Sequence, residues 1–283
     1  MTAFSGRTAI LGTQHGKQEV IAPMLESSLG LQVEVLQDFD TDRFGTFTGE
    51  VARVRNAKET VRAKARAALA EAPHGAFGVA SEGSFGPHPE IPFVSCGLEL
   101  VMLTTHDGAI ELIGTDLTFE TNFASVDVRS LDEIAAFAQR AQFPSHGLMV
   151  KACATHATGG ASITKAIREL TVLEGAVRAL LARDGCATLE TDMRAHLNPT
   201  RMQSIARATA SLILAASSLC PRCHAPGFVV TGVERGLACE ACARPTQRPI
   251  AEILVCAGCA HRVTRAIDGP GTASAGQCDW CNP

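Results

Sequence analysis

Four pairs of cysteines, each pair separated by two residues, carry the clearest chemistry in this 283-residue chain: Cys220/Cys223, Cys239/Cys242, Cys256/Cys259 and Cys278/Cys281. Two intervening residues let a tight knuckle aim both thiolates at one ion, and two knuckles complete a tetrahedral Cys₄ shell. The eight cysteines therefore predict two structural Zn²⁺ ions, although four thiolates also suit iron. Spacers of fifteen, thirteen and eighteen residues separate the pairs. The simplest pairing joins the first knuckle to the second and the third to the fourth, as two zinc ribbons in series. A nested pairing, second with third and first with fourth, satisfies the same count. Either way every ligand position is filled, so the ions account for folding of a small module rather than for a reaction. The other three cysteines, Cys96, Cys153 and Cys186, stand singly beside apolar residues and read as core.

Chemistry outside the cysteines is concentrated in four polar blocks. Gly12-Thr13-Gln14-His15-Gly16-Lys17 follows a strand signal and opens a helix, a place where backbone donors and a lysine suit a phosphate or carboxylate. Asp38 to Glu50 is acidic. Its carboxylates Asp38, Asp40 and Asp42 repel one another, and an oxygen-binding cation such as Mg²⁺ or Mn²⁺ would offset that; a solvated acidic loop is the competing reading. Ala80 to Pro89 places Glu82, Ser84 and His88 among glycines and prolines, the make-up of a site loop after a strand. Thr191 to Arg201 carries Asp192, Arg194, His196, Asn198 and Arg201. Its two arginines could fork onto an anion or pair internally with carboxylates.

Brought to one sheet edge, these blocks would form a metal-dependent hydrolase site for a small phosphorylated or nucleotide-like substrate. Asp38, Asp40, Asp42 and Glu82 would hold the cation and position a water. Lys17, Arg194, Arg201 and Asn198 would bind the substrate, and His15, His88 or Glu82 would move protons. No serine nucleophile elbow, zinc-protease helix or dinucleotide fingerprint is present. The alternative is a non-catalytic adaptor or regulator whose ribbons grip nucleic acid or a protein through Arg222, Arg235, Arg244, Arg248, Arg262 and Arg265.

The elements that must position these blocks alternate between strand and helix signals. Strands are expected at 8–11, 31–35, 76–80, 98–104, 109–113, 123–128, 147–151 and 187–191. Helices are expected at 18–28, 57–72, 130–141, 162–183 and 198–218. Asp107-Gly108 is a hairpin signal, Ser130 to Glu133 a capping box, and Asn198-Pro199 a helix start. The pattern predicts an α/β domain over residues 1–218, a mixed sheet covered by helices, followed by a double zinc ribbon over 219–283. Ser81 to Pro92 reads as a Gly/Pro-rich loop.

Bulk properties narrow the field. The net charge is −4, which gives no basic footprint for nucleic acid. The N-terminus lacks a signal-peptide pattern and no stretch is apolar enough to span a bilayer, so a cytoplasmic protein without a membrane partner is expected.

Together the blocks DTDRFGTFTGE, ASEGSFGPHP and TDMRAHLNPTRM, with CPRC and GLACEAC after them, resemble a bacterial domain family of unknown function over nearly the whole chain. The resemblance implies no activity. The order GTQHGK, ETVRAKARAAL, FGVASEGSFG is also similar to that of inosine/xanthosine triphosphatases and related nucleotide pyrophosphatases. That likeness implies a phosphate contact for Lys17 and Mg²⁺ held by Glu82 with the acidic loop. The sequence departs from that pattern at His15, where asparagine is expected, in a turn one residue shorter, and in the cysteine module.

Overall fold

The computed structural model describes residues 3–45, 55–70, 72–88, 91–153 and 163–283. Its contacts separate two compact units, Met1–Ile213 and Leu214–Pro283, with the division falling inside a helix.

The first unit begins with β1 (Thr8–Gly12), α1 (Gln18–Leu29), β2 (Gln32–Val35), α2 (Ala57–Ala68) and β3 (Phe77–Pro87). β4 (Ser95–Thr104) and β5 (Glu111–Thr118) follow as antiparallel neighbours. The strand order is β2-β1-β3-β4-β5, parallel from β2 to β3 and antiparallel from β3 to β5, hence a mixed sheet. Because β2 and β3 flank β1 on opposite sides, right-handed crossovers place α1 and α2 on opposite faces. The chain therefore reverses its direction of growth at the carboxyl end of β1. In open α/β sheets that topological switch point is where ligands bind.

Local signals explain the ends of these elements. Gly30 stops α1 at φ 70°, and the Asn56 side chain caps α2 by accepting from Glu59 N at 2.9 Å. Val61 and Ala65 of α2 bury against Ala80, Leu100 and Met102 of the sheet.

A second, wholly antiparallel sheet follows. It is built from β6 (Ser125–Val128), β7 (Leu148–Ala152), β8 (Ile163–Ile167) and β9 (Ala187–Thr191), in the order β6-β9-β7-β8. α3 (Asp132–Arg140) and α4 (Leu170–Asp184) bury Ile134, Phe137, Leu173 and Val177 against Val128, Leu148 and Leu189. α5 (Pro199–Ser217) then returns to the first sheet. There Gly114 permits the approach, since a Cβ would lie 2.0 Å from Ala208 O.

Four expectations need correction. The single sheet is two sheets. The loop expected from Ser81 is strand as far as Pro87, paired with β4 in unbroken register; its glycines clear space rather than break the strand. The helix expected from Ser162 to Arg183 begins only at Leu170. Ile163 to Ile167, three of whose five residues are β-branched and whose burial alternates along the strand, pairs with β7 instead. Cys96 is a buried free thiol, as expected. Cys153 and Cys186 are buried too, but they are bonded to each other rather than isolated. The pairing of Ala152 with Ala187 places them next in register.

The second unit is a three-stranded antiparallel sheet of β10 (Val229–Arg235), β11 (Pro249–Val255) and β12 (Arg262–Ala266), with cysteine knuckles at both ends. Among the described residues no helix is long and apolar enough to cross a membrane.

Candidate functional site

The knuckles share one local geometry. The amide four residues after the leading cysteine returns to that cysteine's carbonyl: His224 to Cys220, Ala243 to Cys239, Ala260 to Cys256 and Asn282 to Cys278, all at 2.9–3.0 Å. His224, Ala243 and Ala260 reach this turn at φ 56–61°, without glycine.

The knuckles gather as two sets, Cys220/Cys223/Cys256/Cys259 and Cys239/Cys242/Cys278/Cys281. First pairs with third and second with fourth, which corrects both the serial and the nested expectation. The physical reason is strand direction. A seven-residue strand carries the chain ~23 Å, so each spacer containing one strand delivers the next knuckle to the opposite end of the sheet. Val229 pairs with Val255 at the end holding the first and third knuckles, and Arg235 with Pro249 at the other.

The sulfurs fit a metal. Cys220–Cys259 and Cys223–Cys256 are 3.7 and 3.5 Å apart, and Cys239–Cys281 and Cys242–Cys278 are 3.9 and 3.7 Å apart. Four thiolates at a Zn–S length of ~2.3 Å on a tetrahedron would be separated by about 3.8 Å. These are the two places, among the described residues, where three or more His, Cys, Asp or Glu ligand atoms gather.

The second candidate lies at the switch point. Lys17, at the start of α1, is buried and donates from Nζ to Ser81 Oγ of β3 at 3.1 Å. On the same face of β3, two residues on, Gly83 stands where a Cβ would come within 2.5 Å of both Arg201 Nη2 and Glu99 Oε1. The missing side chain makes room for a buried ion pair, Arg201 Nε to Glu99 Oε1 at 2.6 Å, both residues 2% exposed or less. Arg201 also donates to Met193 O and lies over the Phe85 ring, 5.0 Å from its centroid. Glu99 Oε2 is buried without a hydrogen-bond partner among the described residues. On the opposite face of β3, Lys64 of α2 meets Glu82 at 2.5 Å.

Around this floor stand further polar groups, from the buried Asp192 to the exposed His196. The rings of His15 and His196 stack with centroids 5.2 Å apart. Arg194 holds Asp192 through Nε–Oδ1 at 3.0 Å and Nη2–Oδ2 at 2.5 Å. Gln14 Oε1 accepts from Thr41 Oγ1 at 2.7 Å, so the acidic loop touches the site through its threonine.

The electrostatics follow from crowding of like charge in a dry place. Burial, then the Arg201 charge, pushes the Lys17 amine down to about 7. Burial, then Lys17, lowers the His15 imidazole to about 4, which keeps it neutral at pH 7. Burial pushes the Asp192 carboxyl upward, but hydrogen bonds from Arg194 outweigh it and hold it below its ordinary value.

The structure thus brings together Lys17, His15, Arg194 and Arg201 from the expected site, with Glu82 nearby but bound to Lys64. It does not bring His88, which follows the far end of β3, seven residues or ~24 Å along the strand from Ser81, with its ring against Phe119. Asn198 is fully buried and caps α5, its Oδ1 accepting from Arg201 N at 3.0 Å, so it serves the helix rather than a ligand. Asp38, Asp40 and Asp42 are exposed and form no ligand group; Asp40 Oδ1 instead accepts from Asp42 N at 2.9 Å. The carboxylates of the expected cation site therefore do not gather, and Thr46 to Glu50 and Pro89 lie outside the described residues. The sequence reading missed Lys64, Ser81 and Glu99. A lone carboxylate between Leu98 and Leu100 in an apolar strand was the available signal.

A family model described as a domain of unknown function (DUF6671) matches residues 67–283, which include β3 to β5, α5 and all four knuckles. No curated protein and no solved structure matches the chain.

Proposed function

The chain belongs to that family of unknown function, and from the site itself we propose that its first unit binds a small phosphorylated or similarly anionic molecule at the β1 switch point. The carrying observation is Lys17. It is a buried amine that donates to a neutral hydroxyl, whereas Lys64, Arg194 and Arg201 each face a carboxylate. Glu99 and Glu82 compensate part of its charge, but burial and Arg201 outweigh them; a buried charge so placed costs several kcal/mol, and an anionic ligand beside it would offset that cost. The start of α1 adds backbone dipoles of the same sign.

The reaction this arrangement favours is hydrolysis of a phosphate ester or anhydride. Lys17 and Arg201 would take up charge developing on the phosphoryl oxygens. His15, neutral at pH 7, would accept a proton from the attacking water. Any Mg²⁺ or Mn²⁺ would come mainly with the substrate's phosphates, since the described carboxylates form no site of their own. The test is phosphate release from a panel of phosphorylated metabolites and nucleotides, with and without Mg²⁺. Release that survives Lys17→Met unchanged would remove Lys17 from the mechanism.

For the second unit we propose two Zn²⁺ ions in a folding role, with every thiolate engaged. The adaptor reading favours a protein over nucleic acid. Six arginines face five carboxylates between Leu214 and Pro283, and each zinc tetrathiolate carries a formal charge of about −2. Metal-loaded, this unit is acidic, while Trp280 stands exposed beneath the Arg244 guanidinium.

A further inference from the structure

His146 is buried and its ring is held from both sides. Ser145 Oγ lies 3.0 Å from Nδ1 and itself donates to Gln142 O at 2.6 Å, so that hydroxyl must accept from the ring. Nδ1 therefore carries the proton and Nε2 is a lone pair. Two donors of one residue point at it: Thr200 N at 3.3 Å and Thr200 Oγ1 at 2.9 Å. Thr200 belongs to the first turn of α5 and immediately precedes Arg201. The neutral imidazole thus ties the loop before β7 to the helix end that sets Arg201 on Glu99.

We propose that His146 is a positioning residue whose protonation unlatches the first turn of α5 and weakens the anion site, a regulation that rests on the reading of Lys17 and Arg201 as that site. A second proton must sit on Nε2, where the Thr200 hydroxyl can turn to accept it but the Thr200 N–H cannot. The bond from Thr200 N is then lost and two N–H groups oppose each other, which loosens the turn that fixes the approach of Arg201. Asn198 alone is left to cap the turn.

The charged surroundings favour the neutral ring. Arg168, between β8 and α4, donates to Pro144 O and Ser145 O beside it. The Asp192–Arg194 pair follows β9, and Asp192 N donates to Gly147 O next to His146. On that same loop His196, also lowered by burial and Arg194, adds no charge at neutral pH. α5 faces the ring with the uncharged Thr200. Burial, with Arg168 adding to it, lowers the His146 pKa below its ordinary value against the opposing hydrogen bond to Gln142. A lowered histidine stabilises the fold above its unfolded pKa and loses that contribution as pH falls through the folded one. The latch is closed at neutral pH and opens in acid.

Amide hydrogen exchange of the zinc-loaded full chain tests this without any ligand. Protection of Thr200, Arg201 and Met202, normalised to intrinsic rates, would be compared at roughly pH 7.5 and roughly pH 5. In the wild type these amides are expected to lose about tenfold protection in acid. In His146→Gln they should not, because the Gln Oε1 accepts from Thr200 at either pH. An equal loss in His146→Gln, or no loss in the wild type, overturns the latch. Ring ¹⁵N shifts of the wild type give an independent reading should the variant fold poorly: the Nδ1–H tautomer supports the proposal and the Nε2–H tautomer overturns it. Failure of pyrophosphate to bind at neutral pH would instead count against the anion site and leave the exchange result standing.

Discussion

Lys17 Nζ and Ser81 Oγ meet at 3.1 Å, joining the first turn of α1 to β3 at the point where the sheet reverses its direction of growth. A primary amine has been carried into the core to meet a hydroxyl. The consequence should be visible in stability before any ligand is known. Lys17→Met is expected to raise the unfolding free energy by about 1–3 kcal/mol at neutral pH, the scale on which apolar residues outdo buried charge. Urea denaturation of the zinc-loaded protein measures it.

The pH dependence of that gain has a definite sign. Lys17 falls from 10.5 unfolded to about 7 folded. Between those values the unfolded chain binds the extra proton, so wild-type stability rises with pH across this window. The advantage of Lys17→Met should be full below about pH 7 and fade toward pH 10.5. Denaturation curves at a series of pH values check it, and a constant difference would mean that Lys17 is not titrating in the folded protein.

Gly83 tests the packing of the buried pair. A Cβ there would sit 2.5 Å from both Arg201 Nη2 and Glu99 Oε1. Neither group can withdraw without breaking the other's hydrogen bond. Gly83→Ala should cost about 2–4 kcal/mol, between the cost of overpacking and that of a broken buried pair. The same change at Gly175, which has open space around its Cβ position, should cost far less.

Metal counting distinguishes the pairing of knuckles. Replacing Cys220 and Cys223 by serine should leave one ion per chain, and replacing Cys256 and Cys259 as well should still leave one. Replacing the first and second knuckles together should leave none. Serial ribbons predict the reverse for the two combined variants, and mass spectrometry under native conditions reads the stoichiometry directly.

Much of this was legible in the residues, and what was not has identifiable causes. The knuckles, the turn from β1 into α1 and the Asn198 start of α5 are local, and local chemistry specifies them. Which knuckle meets which is not local. Spacer length measures contour, whereas pairing depends on the direction in which β10, β11 and β12 run. Glycine misled in the same way: Gly83 and Gly86 read as loop residues, yet β3 continues through both, and at Gly83 the missing Cβ serves Arg201 and Glu99. That longer strand carries His88 away from Lys17. Of the proposed anion site, Lys17, His15, Arg194 and Arg201 could be picked out because they stand in polar blocks next to strand ends. Lys64, Ser81 and Glu99 were not, because each sits within an otherwise ordinary helix or strand.

Whether Lys17 anchors an anion is read from calorimetric titration of the zinc-loaded chain with inorganic pyrophosphate near pH 6.5, where Lys17 is mostly charged. The wild type should bind saturably, more weakly above about pH 7 as Lys17 loses its proton, and a folded Lys17→Met should bind at least ~10-fold more weakly. Equal affinity in the two proteins, or no binding by the wild type, would contradict it.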